Sequence, residues 1–198
     1  MLPRIWTLPL LITLCACVHA SPDSDDADTS SADLLTSAGP GSDSPNTLTM
    51  AGLGAVRLGM SVTEVQQALG AALEPMTPGT DAACWMTRRA DGRAPQVFYM
   101  VENDKITRID IDTAASAGTP SDVKTEAGIG VGAAEADVLA AYGKSTKVTP
   151  NKYDEHGHDL VVENAGAKSA LLFQTSDGKV TTFRAGLHPS VDYVEGCS

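Results

Sequence analysis

Hydrophobic and polar positions along the chain follow one pattern twice. Residues 59–70 place apolar side chains at helical spacing between two glycines, and residues 132–143 repeat this arrangement. Each segment is later followed by an apolar run, a polar turn and a second apolar run, at 97–107 and again at 171–181. Because order and spacing agree over both halves, the sequence predicts an internal duplication.

The first helical segment carries clear end signals. Ser61 followed by Glu64 predicts a capping box at its start. Val65 and Leu69 lie on one predicted face, and Gly70 predicts the end of the helix. We therefore expect a short amphipathic helix that packs one face against a sheet.

Strands are expected after each helix, where apolar and polar residues alternate and turn residues separate the runs. The second helix, in contrast, should be less well capped, because Ala134 replaces the capping serine. In the last strand, strict alternation places Val180, Thr182 and Arg184 on the side opposite to Phe183. The predicted strands are 72–76, 83–87, 96–101 and 105–111 in the first half, and 146–149, 159–163, 170–175 and 179–184 in the second.

These elements predict an α+β fold of two tandem repeats, each a helix followed by an antiparallel meander. Repeat 1 is assigned to residues 48–113 and repeat 2, with a C-terminal tail, to residues 127–198. A linker rich in Ala, Ser, Gly and Pro is assigned to residues 114–126. We expect the two sheets to align into one continuous sheet, with both helices on one face and the other face exposed.

The N-terminus predicts an export signal. Arg4 precedes an apolar run that is too short to span a bilayer. In one interpretation, residues 1–17 are a signal peptide ending in a lipobox, so that Cys17 is lipidated and only the lipid anchor touches a membrane. In the other, cleavage follows Ala20 and yields a soluble periplasmic or secreted protein.

An acidic segment follows the signal. Residues 18–47 contain six aspartates and neither lysine nor arginine, and large apolar residues are rare. Such a composition predicts a disordered tether. We therefore favour a periplasmic lipoprotein of the outer membrane. The net charge of −11 disfavours nucleic acid as a partner, because nucleic acid normally requires a basic face.

Cysteine usage fits the same compartment. Cys84 and Cys197 are the only cysteines that follow the signal. An even number of cysteines in an oxidising compartment predicts a disulfide, here between repeat 1 and the end of the chain.

The most titratable part of the folded region is the segment 151–159. His156 and His158, with the carboxylates around them, suggest a metal or ligand site. Gly157 between them favours a turn, so we prefer a solvated hairpin tip and predict no metal.

Three further residues are candidates for binding. Trp85 and Tyr153 are aromatic residues in or near predicted strands, and exposed aromatics on a sheet are typical of protein interfaces. Asp91 lies in a predicted turn, from which it could insert into a partner.

No catalytic residue and no cofactor is predicted. The chain lacks a Gly-x-Ser-x-Gly elbow and the Lys-Ser/Thr of a phosphate loop. Asp110 and Asp112 lie on the same side of a predicted strand, but we interpret them as solvated charges at its edge rather than as an acid–base pair. The sequence therefore favours a protein that is not an enzyme.

Two known families resemble this arrangement. The run from Leu58 to Ser61, with Glu64, Val65 and the closing Gly70, resembles the helix of the small lipoprotein in the outer-membrane β-barrel assembly machine. The tandem order resembles β-lactamase inhibitory protein, which implies capture of a protein on a concave sheet face. That inhibitor has a disulfide within each repeat, and this chain does not, so β-lactamase inhibition is not inferred.

The segments 150–153 and 189–197 are also similar to uncharacterised exported proteins of γ-proteobacteria, which end in the same VDYxEGC motif and some of which are labelled lectins. The leading hypothesis is an exported protein-binding module, acting as an inhibitor, an immunity protein or an envelope assembly factor. Its partner would be an envelope or secreted protein, such as a basic hydrolase or toxin. The alternative is a lectin-like protein that binds carbohydrate or peptidoglycan.

Overall fold

The structure, a computed structural model, describes residues 44–76, 83–163 and 165–197. The predicted signal peptide at 1–17 with Cys17, and residues 18–43 of the predicted tether, lie outside this part of the chain. Within the described ranges there is no helix long and apolar enough to cross a membrane.

Over the described residues, strands predominate and two α-helices are present, which confirms the predicted α+β class. The helices are α1 (Val62–Leu69) and α2 (Glu135–Tyr142). The strands are, in chain order, β1 (Thr47–Thr49), β2 (Gly52–Leu53), β3 (Val56–Arg57), β4 (Leu73–Pro75), β5 (Cys84–Arg89), β6 (Val97–Glu102), β7 (Lys105–Asp112), β8 (Lys124–Thr125), β9 (Thr146–Pro150), β10 (His158–Val162), β11 (Ser169–Ser176) and β12 (Lys179–Leu187).

Eight of these strands form one antiparallel sheet in the order β4-β5-β6-β7-β12-β11-β10-β9. The first four strands after α1, β4 to β7, make one half of this sheet, and the four strands after α2, β9 to β12, make the other. The two halves meet at β7 and β12, where Arg184 is paired with Asp110 and Thr182 with Asp112. The last strands of both halves are therefore the central strands of the sheet.

A second sheet of four short strands, in the order β3-β2-β1-β8, was not predicted. Strand β8 lies inside residues 114–126, which the sequence assigned to a linker, and it pairs in parallel with β1. Val123, just before β8, is buried in the core. The linker assignment is therefore wrong at its C-terminal end, because strands of two or three residues are too short to show an alternating pattern.

Both helices begin as the sequence indicates. In α1 the Ser61 backbone N–H donates to Glu64 Oε2 at 2.7 Å, and Ser61 Oγ accepts from the Glu64 backbone N–H at 3.3 Å. Gly70 ends the helix with a φ of 61°, a left-handed conformation that suits glycine. In α2, Ala134 provides no side-chain cap.

One face of the large sheet, the helix face, carries the main core. Val65 of α1 and Val138 of α2 are fully buried there, together with Tyr99 and Phe173 of the sheet. Leu48 of the small sheet belongs to the same cluster. The two helices and the small sheet thus cover the same face.

The opposite face, called the outer face, is covered in part by the C-terminal tail, residues 188–197. Val191 in this tail is buried against Ala170 and Leu172. Cys197 forms a disulfide with Cys84 of β5, with 5.5 Å between their Cα atoms, so the pairing expected from the sequence is present. The expectation that this face is exposed is wrong where the tail crosses it.

A β-bulge changes the side-chain directions of β12. Val180 and Phe183 are both buried in the helix-face core, whereas Thr182 and Arg184 line a groove on the outer face. The register with β11 shifts at this point, so that Thr181 is an extra residue in β12. The strict alternation predicted from the sequence is therefore wrong at Val180.

Candidate binding groove on the outer face

A groove of about 240 Å³ lies between the outer face of the large sheet and the C-terminal tail. It is called the tail groove below. Its charged and polar lining residues are Arg108, Asp110, Asp112, Gln174, Thr182, Arg184 and Glu195, and its apolar lining residues include Met76, Met86, Phe98 and Val194. The groove thus combines apolar walls with charged groups from the two central strands.

Pairing of β7 with β12 positions the charges of the groove. Arg184 lies opposite Asp110 in the register, and Thr182 lies opposite Asp112. Asp110 is consequently in the middle of the sheet, and its side chain is mostly buried. The sequence interpretation of Asp110 and Asp112 as solvated charges where the strand ends is wrong for Asp110, which lies between two partner strands, whereas Asp112 is the last residue of β7.

Arg108 fixes the tail over the sheet. Its side chain is only 4% exposed, and its Nε donates to Asp110 Oδ2 at 2.9 Å. Its Nη1 lies within hydrogen-bond distance of the backbone carbonyl oxygens of Ser190 and Tyr193, at 3.1 Å each, and of Glu195, at 3.3 Å. This guanidinium therefore joins the sheet to three positions of the tail.

Arg184 has far fewer contacts. Its Nη1 lies 3.8 Å from Asp110 Oδ1, which is too long for a hydrogen bond. Its Nε is buried and finds no hydrogen-bond partner within the described part of the chain. Burial, together with the positive charge of Arg108, lowers the pKa of Arg184 below its ordinary value. A buried guanidinium with unused donors therefore lines the groove.

A row of polar side chains leads from the groove towards the far strands of the sheet. Thr182 Oγ1 donates to Gln174 Oε1 at 3.0 Å, and Gln174 Nε2 donates to Asp159 Oδ1 at 3.1 Å. Asn151 Nδ2 donates to the same oxygen at 2.8 Å. The titratable segment 151–159 is thus connected to the groove by hydrogen bonds.

Of the predicted site residues, Tyr153 is hydrogen-bonded to a residue that lines the groove. Its ring is exposed, and its hydroxyl donates to Oε1 of Glu195, a groove residue, at 2.9 Å. His156 and His158 contact different carboxylates: His156 Nε2 lies 3.6 Å from Glu155, and His158 Nδ1 lies 3.0 Å from Glu135 in α2. No cluster of three or more metal-ligating side chains is found among the described residues.

The other two predicted site residues do not line the groove. Trp85 is partly buried and packs against the helix-face core. Asp91, in the turn between β5 and β6, accepts hydrogen bonds from Nη2 and Nε of Arg89, at 2.6 and 2.9 Å. Arg89 lowers the pKa of Asp91 to about 2. A role for either residue in binding stays a prediction.

Sequence analysis missed Arg108 and did not assign a role to Arg184. Both arginines lie within strands whose neighbouring residues are strongly apolar, Ile106 and Ile109 in one case and Phe183 and Ala185 in the other. An arginine in such a position is rarely buried without a partner. This was a signal of an internal polar site, but the partners come from distant parts of the chain.

Exposed apolar side chains concentrate around the same groove. Among the described residues, the exposed large hydrophobic side chains are Met76, Leu139, Val148, Tyr153, Tyr193 and Val194. Met76 and Val194 line the groove, Tyr153 contacts Glu195, and Tyr193 precedes Val194 in the tail. These four residues are called the rim below.

His188 attaches the start of the tail to its surroundings. Its Nδ1 lies 2.7 Å from Asp192 Oδ2, and its Nε2 lies 3.1 Å from Glu163 Oε2. The hydrogen bond to Asp192, supported by the charge of Glu163, raises the pKa of His188 although partial burial lowers it. The protonated imidazole is therefore stabilised in the folded protein.

A pH dependence of stability follows from this raised pKa. The stabilisation is complete below the ordinary histidine pKa of about 6.5 and is lost as the pH rises through the higher folded value. We expect the free energy of unfolding to fall by less than about 1 kcal/mol between about pH 6 and about pH 8, since the groups are partly exposed. Urea unfolding at both pH values checks this, with His188→Gln as the comparison. An identical pH dependence in the variant would contradict it.

No protein-family model matches the chain, and no curated protein is similar to it in sequence. Two solved structures resemble it weakly. A DUF4309 family protein (YjgB) from Bacillus subtilis is 16% identical, with a TM-score of 0.42 over 72% of this chain and 88% of that one. An extracellular protein containing a SCP domain from Bacillus anthracis is 12% identical, with a TM-score of 0.44 over 78% of this chain and 50% of that one. At these scores neither likeness bears on function, and no family is assigned to the chain.

Proposed function

We propose that this protein is an exported, non-enzymatic binding module that captures another protein at the tail groove and its rim. The observation that carries this proposal is the concentration of exposed Met, Tyr and Val side chains around a groove that contains buried arginines. Tyr, Met and Arg are enriched in protein interfaces, and Tyr and Arg are frequent binding hot spots. Exposed apolar side chains scattered over a surface would need no such explanation, but a cluster does.

The proposal includes a duplicated architecture of two tandem helix-plus-meander repeats. It is supported by equivalent backbone contacts: the Gly59 N–H donates to the Ile106 carbonyl at 2.7 Å, and the Gly132 N–H donates to the Val180 carbonyl at 2.8 Å. Each pair joins the segment before a helix to the last strand of the same half. Pairing of these last strands would then join the two repeats of the chain into one continuous outer face.

The compartment is proposed from the N-terminal signal and the disulfide. Disulfides persist in oxidising compartments, and the folded chain contains the disulfide Cys84–Cys197. We retain a periplasmic lipoprotein anchored at Cys17 as the proposed form. The net charge of −11 favours association with a basic partner, such as a secreted hydrolase or toxin. The role would be that of an inhibitor, an immunity protein or an envelope assembly factor.

The carbohydrate-binding alternative has less support. Stacking of sugars requires an exposed aromatic ring within a groove, and Trp85 packs on the helix-face core instead. Tyr153 is exposed, but it contacts the groove only through Glu195. We therefore treat polymer binding as an outcome of the test rather than as a second proposal.

The test is affinity capture from envelope extract by the oxidised protein, read by quantitative mass spectrometry, with two matched variants. Met76→Ser with Val194→Ser alters rim side chains that are 41% and 42% exposed. Leu139→Ser with Val148→Ser alters side chains that are 38% and 42% exposed but lie on α2 and β9.

We expect the wild type and the Leu139/Val148 variant to enrich the same protein, and the rim variant to lose about tenfold or more, which corresponds to about 1.4 kcal/mol. Equal capture by all three proteins would contradict binding at the rim. Retention on purified peptidoglycan, with no protein enriched, would support the alternative instead.

A further inference from the structure

Arg184 is a buried cation whose hydrogen-bonding capacity is largely unused. Its side chain is 8% exposed, yet its nearest charged partner is Asp110 at 3.8 Å. A guanidinium carries five N–H donors, and the Nε donor of Arg184 is buried without an acceptor in the described chain. Leaving such a donor unsatisfied is costly, so native proteins seldom do it without a reason.

Neighbouring acceptors are already engaged. Asp110 accepts from Arg108 through Oδ2, and Gln174 accepts from Thr182 through Oε1. Two guanidinium groups thus share the single carboxylate of Asp110, and only Arg108 is hydrogen-bonded to it, so the charge of Arg184 has no hydrogen-bonded partner among the described residues. An acceptor supplied from outside could reach this charge through the groove that Arg184 lines.

Chemistry of the surroundings selects the kind of acceptor. Planar carboxylates match the fork of a guanidinium and accept two parallel hydrogen bonds. A phosphate dianion would in addition face the carboxylates of Asp110, Asp112 and Glu195, which all line the groove. A monoanion would meet less repulsion from these carboxylates than a dianion would.

The groove walls indicate whether a side chain or a chain terminus supplies that carboxylate. Met76, Met86, Phe98 and Val194 offer apolar surface, which suits the methylene groups of an acidic side chain. A chain terminus would bring its own backbone amide and carbonyl groups against these walls, where they would remain unpaired. The apolar walls and the unpaired guanidinium of Arg184 together favour a Glu or Asp side chain.

We propose that Arg184 binds the carboxylate of a Glu or Asp side chain that the captured protein inserts into the tail groove. This rests on the proposed function, since it names the chemical group of the partner that the groove recognises. A partner that is basic overall is compatible with it, because one acidic side chain surrounded by basic residues would match the groove locally and the acidic protein globally.

A small-molecule titration tests this without the partner. The probes are N-acetylglutamate α-amide, which has only the side-chain carboxylate, its neutral isostere N-acetylglutamine amide, and N-acetylglutamine, which has only the terminal carboxylate. Amide chemical shifts of the oxidised protein are followed by NMR. We expect saturable shifts at groove residues with the first probe, at least about tenfold weaker binding of the other two, and a similar loss in Arg184→Gln.

Two further variants keep the result interpretable. Arg184→Lys keeps the charge but loses the fork, so it should also weaken binding. Arg88→Gln removes an exposed arginine that is paired with Glu74 on β4, and it should leave binding unchanged. The comparison of acid and amide probes uses the wild type alone, so a variant that fails to fold does not decide the matter.

Equal binding of the acid and the neutral isostere, tighter binding of the terminal carboxylate, or undiminished binding in Arg184→Gln would overturn the proposal. Failure of the proposed function is a separate result. If the acidic probe binds but no protein is captured at the rim, protein capture fails. If a protein is captured equally by wild type and Arg184→Gln, only the carboxylate assignment fails.

Discussion

Reduction of the Cys84–Cys197 disulfide is expected to lower the free energy of unfolding by about 4–5 kcal/mol. This is the stabilisation that the chain-entropy model gives for a cross-link that closes a loop of this length. The two cysteines are 113 residues apart, so the bond restricts most of the folded chain in its unfolded state. The same bond holds the end of the tail against β5. Urea unfolding of the oxidised and reduced protein measures the difference.

The control for this prediction is the double variant Cys84→Ala with Cys197→Ala. It should resemble the reduced wild type and should not respond to reductant. A difference between oxidised and reduced wild type below about 1 kcal/mol would contradict the prediction, because loss of a native disulfide typically costs about 2–5 kcal/mol.

Arg108→Ala is expected to lower the free energy of unfolding by about 3–5 kcal/mol, since it removes one member of a buried charged network. The substitution removes one donor from each of the carbonyl oxygens of Ser190 and Tyr193. It also removes the hydrogen bond to Asp110. Because the tail depends on this guanidinium, we expect faster hydrogen exchange of tail amides in particular.

Arg88→Ala is the matched control. Arg88 also pairs with a carboxylate, that of Glu74, at 2.9 Å, but its side chain is 47% exposed. Exposed pairs contribute about 0–1 kcal/mol, so this variant should unfold almost as the wild type does. Equal effects of the two substitutions, or a stable Arg108→Ala with an unchanged tail, would contradict the role assigned to Arg108.

Local sequence signals sufficed to predict most of the large sheet and both helices. Ser61 and Glu64 specify the start of a helix through hydrogen bonds between residues three positions apart. The Asp177-Gly178 turn specifies the last hairpin. These signals depend on neighbours in the chain, so they can be recognised without the fold. Elements that lack such neighbours, such as β8, were missed.

The groove could not be predicted, because its parts come from distant positions. Arg108 donates hydrogen bonds to the carbonyl oxygens of Ser190 and Tyr193, which lie 82 and 85 residues later in the chain. The bulge at Thr181 also reversed the expected side of Val180. Among the predicted site residues, Tyr153 is adjacent to the groove, whereas Trp85 and Asp91 are not, since isolated aromatic and turn residues do not indicate which face they will share.

Photo-crosslinking with envelope extract tests the central claim most directly, namely that a protein partner binds over the tail groove. A photoreactive amino acid in place of Val194, which lines the groove, is compared with the same substitution at Val148, which is equally exposed on β9. The account predicts one dominant protein adduct from position 194, suppressed by excess unlabelled protein, and little adduct from position 148. Adducts of equal yield from both positions, or adducts from position 148 alone, would contradict it.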